Sequence, residues 1–335
     1  MKSWQELLAE KKILVADGAW GTELARRGLG VGEPPEKWNL ERPDEVEAVA
    51  ASYVAAGSDI ILTNTFGGSR LKLEKSGLGD RTAEVNRIGA EISKRAAGAD
   101  IILTNTLGGS RLKLEKSGLA ARTGEVNRTG AEISKRAAGD NALVFGSVGP
   151  TGEFMAPLGT VTEAEMVACF AEQIGALSEG GVDAILIETQ SDLGEAKAAL
   201  SAARESTDLS VAVSMTFEKG VKGYATIMGV TPVQAADELQ AAGADIVGSN
   251  CGGGMEQIIA VISEMKPVAD RPVWAKPNAG LPELVEGRTV FRETPEQMAS
   301  HFAELAEAGA DIIGGCCGTT PGHLALFVAE RDKLV

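Results

Sequence analysis

Short, nearly continuous apolar runs alternate along the chain with longer segments whose apolar positions recur at helical spacing. Eight runs read as strands: Ile13–Ala16, Asp59–Thr63, Ala142–Gly146, Ala184–Glu188, Val211–Met215, Ile246–Ser249, Val273–Lys276 and Ile312–Gly315. Their continuity predicts parallel strands covered on both faces. Each helix-to-strand joint repeats one phrase, as in Ala55-Ala56-Gly57-Ser58-Asp59-Ile60, Ala242-Gly243-Ala244-Asp245-Ile246 and Ala308-Gly309-Ala310-Asp311-Ile312. Glycine there suits a helix C-terminus. Helix starts are marked by Thr162-x-x-Glu165, Thr231-Pro232-x-Gln234 and Thr294-Pro295-x-Gln297, each with a capping hydroxyl and an acid or amide three residues on. Eight βα units predict an α/β fold of the TIM (β/α)8 barrel type, one domain spanning residues 1–335.

One stretch exceeds that count. Residues 58–98 and 99–139 are tandem copies of the second βα unit, differing only at Ser58/Ala99, Phe66/Leu107, Gly79/Ala120, Asp80/Ala121, Ala83/Gly124 and Ile88/Thr129. A closed barrel has fixed stagger and radius, so the duplicate is not expected to enter as a ninth strand. The first copy is expected to occupy the barrel, because Gly124 and Thr129 weaken the helix of the second.

Composition narrows the function. A net charge of -15 excludes a nucleic-acid surface, which needs clustered Lys and Arg. No apolar run approaches the roughly 20 residues of a membrane span, and the start Met1-Lys2-Ser3-Trp4 lacks a signal-peptide core. A cytoplasmic protein with reduced thiols is expected.

The candidate chemistry lies in two glycine-rich stretches that follow strands, Gly248-Ser249-Asn250-Cys251-Gly252-Gly253-Gly254 and Gly314-Gly315-Cys316-Cys317-Gly318-Thr319. Side chains of neighbouring strand residues point to opposite faces, so Cys316 and Cys317 converge only if the backbone turns there. Three thiols from two loops suit a tetrahedral Zn²⁺ with its fourth position open to substrate. A vicinal disulfide or plain packing would be the alternative. Cys169, inside an amphipathic pattern, reads as core.

These stretches, with Ala16-Asp17-Gly18-Ala19-Trp20-Gly21-Thr22, Thr63-Asn64-Thr65-Phe66-Gly67, Gly149-Pro150-Thr151-Gly152, Glu188-Thr189 and Lys276-Pro277-Asn278-Ala279-Gly280, resemble the zinc-dependent homocysteine S-methyltransferase family. The cobalamin-dependent methionine synthase branch is the most similar. The resemblance covers nearly the whole chain apart from the extra copy. It implies methyl transfer to the thiol of homocysteine, giving methionine. Cys251, Cys316 and Cys317 match the zinc ligands, and Asn278 matches a position that fills the fourth site when substrate is absent. Asp17, Gly18, Ala19, Glu188 and Asn250 fall where the family holds the amino acid. The implied donor is methylcobalamin on a separate corrinoid protein, because no segment remains for a corrinoid domain. The loop Phe66-Gly67-Gly68-Ser69-Arg70 and the end soon after the last barrel helix depart from the betaine-using branch. S-methylmethionine is the other donor to consider. A corrinoid-linked demethylase, a non-catalytic subunit of a corrinoid system and a homo-oligomer stay open.

Overall fold

The computed structural model describes the chain except residues 1, 31–32, 64–72, 74–75, 82–83, 86, 90, 92–97, 105, 117, 222 and 286–287, with side chains also left aside at 137 and 288. Nine parallel strands form one sheet: β1 (Leu14–Val15), β2 (Ile60–Ile61), β3 (Ile101–Leu103), β4 (Leu143–Val148), β5 (Ala184–Gln190), β6 (Ser210–Met215), β7 (Ile246–Asn250), β8 (Val273–Lys276) and β9 (Ile312–Ile313). They follow one another around the ring in chain order, with β9 paired to β1. A single bridge, Ala16 to Ile60, completes the barrel. The TIM-type α/β architecture is therefore as expected.

The exclusion of a ninth strand is not. β2 pairs with β3 through Ile60–Ile101 and Ile61–Ile102, and β3 pairs with β4 from Ile101–Leu143 to Leu103–Phe145, so both copies stand in the sheet. Barrel diameter grows with strand number, and the extra strand is absorbed where strands are shortest. The seam between β1 and β2 holds through Asp59 N to Val15 O (2.7 Å) and Asp17 N to Ile60 O (2.8 Å). Two carboxylates finish it: Asp59 Oδ2 accepts from Val15 N and Asp17 Oδ2 from Leu62 N, both at 2.7 Å. The second copy also forms its helix, Thr123–Ala138. Gly124 does not prevent this: one helical glycine costs only about 1 kcal/mol, against the burial of Ala131, Ile133 and Ala138 on the same helix, and Thr129 is only half-buried.

Strand alternation sorts the core into two layers. Leu14, Ile60, Ile101, Leu103, Phe145, Leu186 and Trp274 fill the barrel, while Trp4 and Leu7 of the first helix pack against that interior. Val15, Ile61, Ile102, Val144, Val213 and Val273 face outward to the helices. The equivalent residues Ile60 and Ile101 share the inner layer, so the two copies are in phase. The threonines at positions 162, 231 and 294 all cap helices as their spacing predicts. Among the described residues no helix is long and apolar enough to cross a membrane.

The aspartate of the recurring joint phrase has a role its spacing did not reveal. Heading one strand, its carboxylate accepts a backbone N–H of the preceding strand in the ring: Asp183 from Val144, Asp245 from Val211 and Asp311 from Val273. A basic helical residue pairs with each, namely Lys135, Arg204 and Lys266. Asp245→Ala is expected to cost about 1–3 kcal/mol, because Val211 N–H loses its partner. Urea denaturation checks this against the exposed Asp208→Ala, expected within about 0.5 kcal/mol of the parent.

Candidate metal centre and its cleft

Cys251 leaves the end of β7 with φ +63°, and Gly252 follows at +73°. Left-handed backbone costs a non-glycine residue roughly 1–2 kcal/mol, so the turn must be held from outside. Cys251 N donates to Lys276 O (3.1 Å), and Asn250 Nδ2 donates to Cys251 Sγ (3.4 Å) and Thr189 Oγ1 (2.9 Å). Past β9 the chain turns at Gly318 (φ +82°), with Thr319 N and Oγ1 both donating to Cys316 O. Cys316 N donates to Pro277 O (2.7 Å) and Cys317 N to Asn278 Oδ1 (3.1 Å). These turns bring the sulfurs of Cys251, Cys316 and Cys317 within 4.8 Å of one another, Cys251 and Cys316 at 2.9 Å.

All three are free thiols, and Cys169 is separately buried in the helix Glu163–Glu179. Tetrahedral coordination with Zn–S near 2.3 Å places sulfurs about 3.8 Å apart, within the spread of this cluster. The residues present thus fit a Zn²⁺ ion in donor type, number and spacing. Cys317 is exposed while the other two are half-buried, so the cluster is open on one side.

The charge balance is tight. Cys251 is driven well above the usual thiol range by hydrogen bonding to the sulfurs of Cys316 and Cys317, with burial adding to it. Cys316 is pushed up to about 11: the bond with Cys251 lowers it, but Cys317 and burial outweigh that. Cys317, accepting from Cys251 and Cys316, is lowered to about 3.

Lys276 and Glu188 stand close enough to Cys316 to feel its charge, and Asp17 pairs with Lys276. Asp17, fully buried, accepts from Trp20 Nε1 (2.8 Å) and Leu62 N, with Lys276 Nζ 3.4 Å from its other oxygen. Burial raises its pKa against these partners. Burial pulls Lys276 down, yet Asp17, Cys316 and Glu188 together hold it above its ordinary value. Glu188, half-buried at the end of β5, is raised by burial while Ser147 Oγ donates to its Oε1 at 2.6 Å.

The expected substrate residues differ in burial: Gly18 and Asn250 are buried, Ala19 and Glu188 half-buried. Gly18 is buried because the loop of residues 315–319 approaches it; an added Cβ would stand 2.5 Å from Thr319 Oγ1. Ala19 N donates to Thr319 O at 3.3 Å. Buried Asn250 also accepts from Thr189 N and Ser214 Oγ, tying strands β5, β6 and β7 together. Asn278 has its oxygen on Cys317 N and its Nδ2 on Gly252 O (3.1 Å), bridging the two cysteine loops. Asn64 and Thr65 lie outside the described residues. His323 is buried and bonded to Thr320 and Glu293 O, and His301 pairs with Glu304. The sequence offered Lys276 as an ion-pair partner for Glu188; the structure pairs it with Asp17 at 3.4 Å, and Glu188 acts on it only through its charge.

The family model described as homocysteine S-methyltransferase matches residues 14–97 and 95–330, its break falling at the junction of the two copies. Methionine synthase of Mycobacterium tuberculosis is 29% identical over 323 residues, covering 94% of this chain and 24% of that protein. Methionine synthase of Mycobacterium leprae is 29% identical over 328 residues, covering 95% and 24%. The chain thus spans about a quarter of the length of these relatives. The metallated form of the homocysteine methyltransferase MmuM from Escherichia coli shares the fold with a TM-score of 0.65 at 22% identity, covering 96% of this chain and 98% of that one. The chain belongs to the homocysteine S-methyltransferase family.

Proposed function

We propose that this barrel binds Zn²⁺ through Cys251, Cys316 and Cys317 and transfers a methyl group to the thiol of homocysteine, giving methionine. The convergence of the three sulfurs within 4.8 Å at the open end of the barrel carries the reading. Bound Zn²⁺ supplies a Lewis acid that keeps a coordinated thiol as its thiolate at neutral pH. The substrate sulfur forms the new S–C bond, and the donor's bond to methyl breaks with its electron pair staying on the donor. The chain's own residues hold the amino acid. Glu188, at the half-buried edge of the cleft, receives the ammonium. Asp17 holds Lys276 by an ion pair of 3.4 Å, and the substrate carboxylate is assigned to the loop Asp17–Ala19. Asn278 keeps the two cysteine loops together, and it serves as a fourth ligand in the absence of substrate only by releasing Cys317 N–H.

The donor we assign is a methylcorrinoid such as methylcobalamin on a separate protein or domain, in keeping with methionine synthases as relatives. S-methylmethionine and betaine are the competing donors. Methionine formation with each of the three, offered separately to the zinc-loaded protein and homocysteine, decides among them. Methionine with none of them removes the proposal.

Metal analysis of the purified protein is expected to give about one Zn²⁺ per chain, as a single three-thiol site requires. In Cys251→Ala, Cys316→Ala and Cys317→Ala, zinc affinity is expected to fall more than about a hundredfold, beyond the cost of a supporting contact. Full retention in any of them would remove that residue from the ligand set. Glu188→Gln is expected to raise KM for homocysteine about tenfold, the loss of a charge-assisted hydrogen bond. Its effect on 4-mercaptobutyrate, which lacks the ammonium, is expected to be small; equal losses on both would separate Glu188 from the amine.

A further inference from the structure

Two nearly identical segments follow Thr63 and Thr104 in the sequence, yet the strands they follow have different neighbours in the ring. β3 stands beside β4, the strand that carries Ser147, whereas β2 stands between β1 and β3. In the second copy Ser147 N donates to Thr104 Oγ1 at 2.9 Å, and Thr106 Oγ1 donates to Ser147 O at 2.6 Å. The two hydroxyls are 2.7 Å apart. Since Thr106 has given its proton to Ser147 O, Thr104 donates to Thr106, and the three bonds run one way around a closed ring. Bonds so chained polarise one another, and here they are buried. The ring fixes both backbone groups of Ser147, whose hydroxyl meets Glu188 at 2.6 Å. Gln173 Nε2 secures Thr106 O from the helix behind (2.6 Å), and Gly149 N donates to Leu107 O (2.9 Å).

The first copy is placed otherwise. Thr63, the counterpart of Thr104, donates to Leu103 O at 3.4 Å, within the duplicated pair itself. One of the six differences between the copies falls at the same contact: Leu107 Cγ would stand 2.6 Å from a Cβ on Gly149, and the first copy has Phe66 there.

We propose that Thr104 and Thr106 of the second copy are positioning residues that aim Ser147 at Glu188, a task that Thr63, bonded to Leu103 O, does not share. The inference rests on the amine-binding role given to Glu188 only for its kinetic consequence. Thr106→Val is expected to raise KM for homocysteine about tenfold with kcat changed less than about twofold, the range of one lost buried hydrogen bond. Thr106→Ser keeps the hydroxyl and is expected to stay near the parent. Thr63→Val is expected to leave KM unchanged. Carboxyl ¹³C NMR of the zinc-loaded protein labelled at glutamate Cδ, with the Glu188 signal assigned through Glu188→Gln, reads the same geometry without turnover. That signal is expected to shift in Thr106→Val and not in Thr63→Val or Thr106→Ser. A shift with Thr63→Val as large as with Thr106→Val, or none with Thr106→Val, overturns the proposal. A parent enzyme that makes no methionine while the ¹³C pattern holds would instead count against the homocysteine reading alone.

Discussion

The site depends on one short segment, Lys276-Pro277-Asn278-Ala279, wedged between two loops that would otherwise have no reason to meet. Its backbone and one amide side chain bond to both: Lys276 O and Pro277 O receive Cys251 N and Cys316 N, Asn278 N reaches Gly253 O, and Ala279 N reaches Cys317 O. Asn278 adds Gly252 O on one side and Cys317 N on the other. This follows from topology. β8 lies between β7 and β9 in the ring, so the chain leaving it is bordered by the ends of both neighbours. A metal site built on strand ends inherits the precision of the barrel, and the glycines at 252 and 318 permit the left-handed turns that complete it.

Charge is balanced over the same few residues. Two carboxylates beside a thiolate at the end of a barrel would repel one another in a medium of low dielectric. Lys276 counters Asp17, Glu188 and Cys316 together, which is why burial fails to depress its pKa. Asp17 is therefore less a group offered to ligand than the anchor of that lysine, with Trp20 Nε1 and Leu62 N satisfying its second oxygen. Glu188 is half-buried and takes the Ser147 hydroxyl on its Oε1.

Local signals in the sequence were enough for eight of the nine barrel strands and for the thiols, though not for the short hairpins at residues 218–225 and 283–290. Capping threonines, glycine-terminated helices and apolar runs are short-range features, and the turn forced on Cys316-Cys317 follows from strand geometry alone. What escaped them is tertiary. Whether eight or nine strands close a ring depends on stagger summed over every pair, and no single run records it. The aspartates at 183, 245 and 311 look like turn residues in one dimension, because the N–H each accepts belongs to another strand. Asn278 was legible as a loop residue, while its two bonds across the cysteine loops were not.

The duplication makes this point most sharply. Residues 58–98 and 99–139 offer almost the same side chains in the same order, so nothing intrinsic to either assigns it a task. Position in the ring does. The copy beside β4 finds the N–H and C=O of Ser147 within reach of its threonines, and the copy beside β1 finds Asp17 and the seam. Leu62 N serves the Asp17 carboxylate, whereas the equivalent stretch of the second copy continues as the ladder residue Leu103 opposite Phe145. An inserted βα unit can thus leave a site intact if it enters the ring between the strands that carry the chemistry and a seam able to close on one bridge, because every other strand keeps the neighbours its side chains were selected to meet.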